Sequence, residues 1–193
     1  SNPSIFEKAL AGPIYSAPIE KLAAGSASSE EIFETLAIED IQRAADLLLP
    51  AHDASGGLDG FVSLEVSPRM ALEAARTETE GLRLAERVGR ANLMIKVPAT
   101  RQGLAAGEAL LKKGISVNFT LIFSVERYRA VTQAYTAAMS WRHRNSLPVD
   151  SVASVASFFV SRIDTAADKA LAALPAGKAE AAKKLKGMTG IAN

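Results

Sequence analysis

The sequence predicts an α/β fold in which parallel strands alternate with helices and close into a (β/α) barrel. First, amphipathic helical segments alternate with short strand segments, and a repeated strand–helix unit implies a parallel sheet with helical crossovers. Second, three strand segments alternate apolar and polar residues. Strands of an open doubly wound sheet lie under helices on both faces and read as nearly continuous apolar runs. A polar strand face suits the centre of a barrel, so a barrel is favoured over a Rossmann-like sheet.

A long helix precedes the first of these strands. Apolar residues at helical spacing predict this helix over 28–51. Ser29 is the cap candidate, and Glu30 and Glu31 suit the positive end of the helix dipole. After a turn-rich segment, the sequence FVSLEVSP at 61–68 alternates as a half-buried strand does.

The same unit recurs along the rest of the chain. Helices are predicted over 69–88, 102–113, 124–139, 163–174 and 176–186, and strands over 92–98, 116–123 and 152–160. A loop, WRHRNSLPVD, is predicted over 141–150. No linker separates these elements, so we expect one domain.

Lys96 is a single cationic side chain within the apolar strand segment NLMIKVP. Burial of a lysine favours its neutral amine, which can attack a carbonyl carbon and form a Schiff base. The iminium would act as an electron sink, so an adjacent carbon–carbon bond could break without a metal or an organic cofactor. The alternative is a structural ion pair with Glu65, although a buried ion pair is usually no more stabilising than a hydrophobic replacement. We favour the nucleophile, and the residues alone leave both interpretations open.

Four other polar residues lie on the inferred inward face or just beyond it: Glu65, Asn118, Thr120 and Ser157. Each could be structural, because Asn118 and Thr120 could satisfy each other and Ser157 could be a small packing residue. Their convergence near Lys96 favours a functional role. Glu65 could move a proton through water, Thr120 could hold that water, and Asn118 could donate a hydrogen bond to a substrate hydroxyl.

Arg162 directly follows the strand predicted over 152–160, at the end of a barrel where catalytic residues collect. An arginine there can bind a phosphate through two hydrogen bonds. The alternative is a surface ion pair with Asp164 or Asp168. We favour the phosphate.

Other residues that could suggest a metal, nucleic-acid or phosphate site do not predict one. His52 and His143 are assigned to loops that lead from a helix into a strand, at the stability face of a barrel, so no metal site is expected. The basic residues that follow Trp141 form a charge run that is normally a solvated loop. The segment GLDG at 57–60 opens no helix and is too weak to be a phosphate loop.

The composition narrows the classes of function. With 48% hydrophobic and 22% charged residues, the 193-residue chain can bury a core. Its 22 basic and 21 acidic residues give a net charge of +1, so no global field attracts nucleic acid or an anionic membrane. The absence of cysteine excludes disulfides, thiolate metal sites and a cysteine nucleophile. No apolar run approaches the roughly 18 residues of a membrane span. We expect a cytoplasmic protein without nucleic-acid or membrane partners.

Five blocks of sequence, in this order, resemble the transaldolase family, particularly its longer bacterial and plant-like branch. They are SNPSIFEKA at 1–9, DGFVSLEVSP at 59–68, NLMIKVPAT at 92–100, GISVNFTLIFSVERY at 114–128 and SVASFFVSRID at 154–164. The resemblance covers nearly the whole chain, and the lysine and VNFTLIFS blocks are specific to the family. It implies the (β/α)8 TIM barrel of the class I aldolase type.

The resemblance also implies a reaction. Lys96 matches the Schiff-base lysine, Glu65 the acid/base carboxylate, and Thr120 the residue that positions catalytic water. The family transfers a dihydroxyacetone unit from sedoheptulose 7-phosphate to glyceraldehyde 3-phosphate in the pentose phosphate pathway. It uses neither a metal nor a cofactor, so we expect none here.

The remaining matches concern substrate binding. Asn2 and Asn118 match substrate-binding asparagines, and Ser157 and Arg162 match positions that contact the sugar phosphate. The family's first strand, which carries an aspartate needed for proton transfer, has no counterpart in the sequence. At the other end, GMTGIAN at 187–193 resembles the start of a seventh strand. We expect residues 1–193 to form a single barrel domain, a fragment lacking the first strand and the last βα unit, with little activity alone.

Three other hypotheses stay open. A related class I ketose-phosphate aldolase would use the same Lys96 without transferring the unit to an acceptor. A pyridoxal phosphate enzyme also forms a lysine imine, although no Gly-rich phosphate cup is evident in the sequence. A noncatalytic fragment would bind sugar phosphates or assemble with a partner.

Overall fold

The computed structural model describes residues 3–188, in which four parallel strands alternate with helices after a helical N-terminal segment. The strands are β1 (Val62–Glu65), β2 (Leu93–Pro98), β3 (Val117–Ile122) and β4 (Ser154–Phe158). They lie in the order β1-β2-β3-β4, and each is parallel to its neighbour. Parallel strands that follow one another in chain order need crossover connections, and the right-handed crossover that such connections adopt as a rule places their helices on one face of the sheet, as in a barrel wall. The predicted α/β fold with a parallel sheet is confirmed.

Helices connect the strands and precede the first of them. They are α1 (Pro3–Leu10), α2 (Ser16–Ala23), α3 (Ser29–Ala54), α4 (Ala74–Val88), α5 (Arg101–Lys112), α6 (Val125–Arg144), α7 (Val160–Ala172) and α8 (Ala179–Leu185). Helices α3 to α6 pack against the sheet, and α7 packs against α8. None of the helices within residues 3–188 has the length and apolar character needed to cross a bilayer.

The cap of α3 is Ser28, so the prediction of Ser29 is wrong by one residue. The hydroxyl of Ser28 accepts a hydrogen bond from the backbone N–H of Glu31, and the Glu31 carboxylate accepts one from the backbone N–H of Ser28. This reciprocal pair is a capping box. The backbone hydrogen bond from Ser28 lowers the pKa of the Glu31 carboxyl.

Helix α6 extends to Arg144, so the loop predicted over 141–150 is wrong for its first four residues. Arg142 is buried, and it is therefore not part of a solvated loop. Its guanidinium donates to the carbonyl oxygens of Pro148 at 2.7 Å and Lys112 at 2.9 Å. These bonds join the segment before β3 to the segment before β4, which explains why the helix continues this far.

Both histidines lie in the last turns of helices, His52 in α3 and His143 in α6, and not in loops as predicted. The His52 ring meets Phe61 edge-on, with 5.0 Å between the ring centroids, just before β1. His52 is therefore at the amino ends of the strands. Within residues 3–188, no group of three or more histidine, aspartate or glutamate side chains could hold a metal ion.

The core lies between the helices and one face of the sheet. Alternate residues of the first three strands are buried there: Leu64, Leu93, Ile95, Val97, Val117 and Phe119. Apolar burial of this kind is the main favourable term in folding. The alternation predicted from the sequence therefore separates a packed face from a polar one.

The alternation breaks at Leu121, which stands two residues after Phe119 and would therefore belong to the apolar face of a regular strand. Leu121 is 42% exposed and has a φ of +63°. The register between β3 and β4 shifts between Phe119 and Ile122, so Thr120 and Leu121 together oppose Ser157. This is a β-bulge, and the left-handed backbone of a non-glycine residue is a strained conformation. The bulge returns Ile122 to the core.

Helix α5 packs closely on β3 at Gly107. A Cβ atom added there would lie 2.3 Å from Cε1 and 2.5 Å from Cζ of Phe119. Phe119 is fully buried, so its ring has no room to move aside. The close approach requires glycine.

We predict that Gly107→Ala lowers the free energy of unfolding by about 1–3 kcal/mol, the usual cost of overpacking a core. Alanine in a helix interior is otherwise favoured over glycine by about 1 kcal/mol. The control is Gly177→Ala, because an added Cβ at Gly177 meets no heavy atom within 4 Å. Urea unfolding measures both variants. Equal stability of Gly107→Ala and Gly177→Ala would contradict the close packing of α5 on β3.

Candidate active site

The polar face of the sheet carries one row of side chains from three adjacent strands. Glu65 in β1 pairs with Lys96 in β2, and Lys96 pairs with Asn118 in β3. Residues paired in register project from the same face of a sheet. The structure thus brings together three predicted site residues that are far apart in the sequence.

Lys96 and Glu65 are close neighbours in a partly shielded environment. The Nζ atom of Lys96 lies 3.6 Å from Oε2 of Glu65, and the two side chains are 14% and 16% exposed. This separation is longer than an ordinary N–H···O hydrogen bond. An amine and a carboxylate at this distance can exchange a proton through one water molecule.

Asn118 joins two serines across the polar face. The Ser157 hydroxyl donates to Oδ1 of Asn118 at 2.8 Å, and Nδ2 of Asn118 donates to the Ser63 hydroxyl at 3.1 Å. The three residues belong to β4, β3 and β1. Ser63 received no role from the sequence, although the alternation of β1 places it on the same face as Glu65.

Thr120 lies beside the bulge in β3 and is 1% exposed. Its Oγ1 atom is buried and has no hydrogen-bond partner among the described residues. A buried hydroxyl of this kind can bind a water molecule or a substrate group. The backbone carbonyl of Thr120 accepts a hydrogen bond from Ala99 at 2.7 Å, which holds β3 to the end of β2.

Strand β4 ends at Phe158 and α7 begins at Val160, so Arg162 lies in the first turn of α7. Its side chain is exposed. Its Cζ atom is 4.3 Å from the centroid of the Phe159 ring, a cation–π contact that leaves N–H donors for another ligand. Phe159 also contacts Phe123, which follows β3. The sequence did not indicate this aromatic support.

Asn2 lies outside the described residues.

The fold and the polar row define part of a (β/α) barrel protein with a lysine on its inner face. The chain belongs to the transaldolase/fructose-6-phosphate aldolase family, whose model matches residues 1–193. The resemblance predicted from the sequence blocks is confirmed, and the family implies a TIM barrel.

Curated transaldolases are similar to the whole of this chain. Those of Thermobifida fusca, Mycobacterium ulcerans and Mycobacterium tuberculosis are 48%, 46% and 45% identical to it over 194 residues. The matches cover 100% of the chain, 52% of the first relative and 51% of the other two. The chain therefore spans about half the length of the curated relatives it matches.

Proposed function

We propose that the protein containing this chain is a transaldolase in which Lys96 is the nucleophile. The supporting observation is the position of Lys96 on the polar face, 3.6 Å from a carboxylate, in a chain of this family. Its amine would attack C2 of a ketose phosphate, and loss of water would give an iminium. This cation would accept the electron pair of the C3–C4 bond while the C4 hydroxyl gives its proton to a base, releasing an aldehyde and leaving an enamine of dihydroxyacetone on Lys96. The sequence resemblance assigns this base to the aspartate of the family's first strand.

The second half of the reaction would reverse these steps with a different aldehyde. The enamine carbon would attack glyceraldehyde 3-phosphate, forming a new carbon–carbon bond, and water would then release the ketose product from Lys96. With sedoheptulose 7-phosphate as donor, the products would be erythrose 4-phosphate and fructose 6-phosphate. This is a step of the pentose phosphate pathway, and we place the protein in the cytoplasm.

Proton transfer would be carried by Glu65 and Thr120. Glu65 would exchange protons with the carbinolamine through a water molecule, since it lies beside Lys96 without a short direct bond to it. Thr120 would hold that water with its buried hydroxyl.

Asn118, Ser157 and Arg162 would bind the substrate. Asn118 lies in the row of Lys96, and its amide would donate to a ketose hydroxyl. Ser157 contacts that amide and would meet the same part of the sugar. Arg162 would bind the phosphate from the rim of the sheet. Asn2 is also proposed to bind substrate, and this role rests on the sequence resemblance alone.

A ketose-phosphate aldolase is the second candidate, because the matching family includes fructose-6-phosphate aldolase. Its cleavage chemistry at Lys96 would be the same, but the three-carbon unit would be released instead of transferred. Supplying glyceraldehyde 3-phosphate and following both products separates the two activities.

We predict that borohydride reduction in the presence of fructose 6-phosphate traps a covalent adduct on Lys96. Reduction converts the iminium into a stable amine, which peptide mass mapping can locate. Lys96→Met should abolish the adduct. The matched control is Lys112→Met, because Lys112 is a helical lysine bonded to Glu108 at 2.6 Å. An adduct that maps reproducibly to Lys112 or Lys113 would sink the assignment.

Glu65→Gln should lower turnover by roughly 100-fold or more, the usual scale for a general acid/base. The amide keeps the shape of the side chain but cannot accept and return a proton. Imine formation should persist at a lower rate, which borohydride trapping checks. The matched control, Glu108→Gln in α5, should keep normal turnover. Near-normal turnover of Glu65→Gln would return Glu65 to a structural role.

Arg162→Ala should weaken the use of phosphorylated sugars by roughly 10- to 100-fold in kcat/KM, since a charged hydrogen bond to phosphate is lost. The effect on unphosphorylated analogues should be much smaller. Arg43→Ala is the control, because the Arg43 side chain is 70% exposed on α3. Equal losses for both kinds of sugar would show that Arg162 shapes the rim and does not bind phosphate.

A further inference from the structure

The hydrogen bonds of Asn118 extend beyond the residues that would touch substrate. Ser63 lies in β1, and Asn118 lies in β3, with β2 between them. The Asn118 side chain crosses this distance to donate from Nδ2 to the Ser63 hydroxyl at 3.1 Å. On its other side it accepts from Ser157 at 2.8 Å. The carboxamide is therefore held between hydroxyls from two different strands.

The two serines leave part of the amide available. A primary amide has two N–H donors and an oxygen with two acceptor positions. Ser63 takes one donor and Ser157 takes one acceptor position. Among the described residues no partner takes the second N–H of Asn118, so this N–H is available to a ligand on the face that carries Lys96.

An asparagine side chain has little intrinsic preference for the direction of its amide plane. Its last torsion joins an sp³ carbon to an sp² carbon, and the distribution of that angle is broad. Contacts must therefore fix the plane, and both Ser63 and Asn118 are half-buried, where hydrogen bonds are stronger than in open water.

We propose that Ser63 is a positioning residue that orients the Asn118 carboxamide toward a hydroxyl of the donor ketose. This role rests on the proposed function of Lys96 and Asn118. Ser63 acts through Asn118. It lies two residues before Glu65 in β1, on the same face of the sheet. The loss of its hydroxyl frees the amide to rotate while Lys96 and Glu65 keep their places.

The first test compares the donor and acceptor kinetics of three variants of the full-length protein. Ser63→Ala should lower kcat/KM for the donor ketose by roughly three- to tenfold, the scale of one neutral hydrogen bond, and leave KM for the acceptor aldehyde unchanged. Ser63→Thr keeps the hydroxyl on a β-branched side chain that suits a strand, and should restore activity.

Ser154→Ala is the matched control, because the Ser154 hydroxyl donates to the carbonyl of Val117 and not to Asn118. It should retain normal donor kinetics. Unchanged donor kinetics in Ser63→Ala, or an equal loss in Ser154→Ala, would overturn the proposal.

A double-mutant cycle tests whether Ser63 acts through Asn118. In an Asn118→Ala background, Ser63→Ala should change donor kcat/KM by less than about twofold, because the group that it orients is already gone. A further loss of the same size as in the wild type would show that Ser63 acts independently and would overturn the positioning role.

The side-chain amide of Asn118 provides a readout that does not depend on turnover. In a ¹⁵N-labelled sample its pair of N–H signals is assigned by their loss in Asn118→Ala. These signals should shift in Ser63→Ala and return toward their original position in Ser63→Thr. Unshifted signals would overturn the proposal even if turnover fell.

The failure of the proposed function would look different. A wild-type protein with no turnover and no borohydride adduct at Lys96 would refute the transaldolase assignment, and with it the role of Ser63 in donor recognition. A shifted Asn118 signal in Ser63→Ala would then report the structural contact alone.

Discussion

The separation of the sheet into an apolar face and a polar face is the constraint on which the rest of the structure depends. Ile95 and Val97 flank Lys96 in β2 and are fully buried under the helices. Because side chains alternate along a strand, Lys96 must then project from the opposite face. The packing that stabilises β2 thus fixes the direction of Lys96, the proposed nucleophile. A shift by one residue would bury the lysine in the core, at a high cost in free energy.

The row of Glu65, Lys96 and Asn118 shows how parallel pairing builds a site from distant residues. Each residue comes from a different βα unit, and register alone sets them side by side. The bulge at Leu121 adds a local adjustment, because it sets two residues of β3 against Ser157. The strained backbone therefore lies where β3 and β4 present polar groups, and strained conformations of this kind cluster at functional sites.

The strands and the polar row could be predicted from the sequence because alternation is a local signal that survives folding. Other features depend on contacts that the sequence does not display. The last turn of α6 is held by hydrogen bonds from Arg142 to carbonyl oxygens in two other segments. The left-handed conformation of Leu121 could not be predicted, because the residue is not a glycine. Arg162 was placed beyond β4 correctly, but its aromatic support from Phe159 depends on how α7 begins.

The polar row also bears on the length difference between this chain and its relatives. Glu65, Lys96 and Asn118 lie on three consecutive strands, and Ser157, whose hydroxyl donates to Asn118, lies on β4 in the same sheet. The proposed nucleophile, its neighbouring carboxylate and the proposed substrate-binding amide therefore all lie within the described residues. Phosphate binding is different in kind, because its candidate arginine lies on an exposed helical turn. The proposed nucleophile, proton carrier and substrate-binding amide are thus held by the sheet, whereas the proposed phosphate contact lies at the rim.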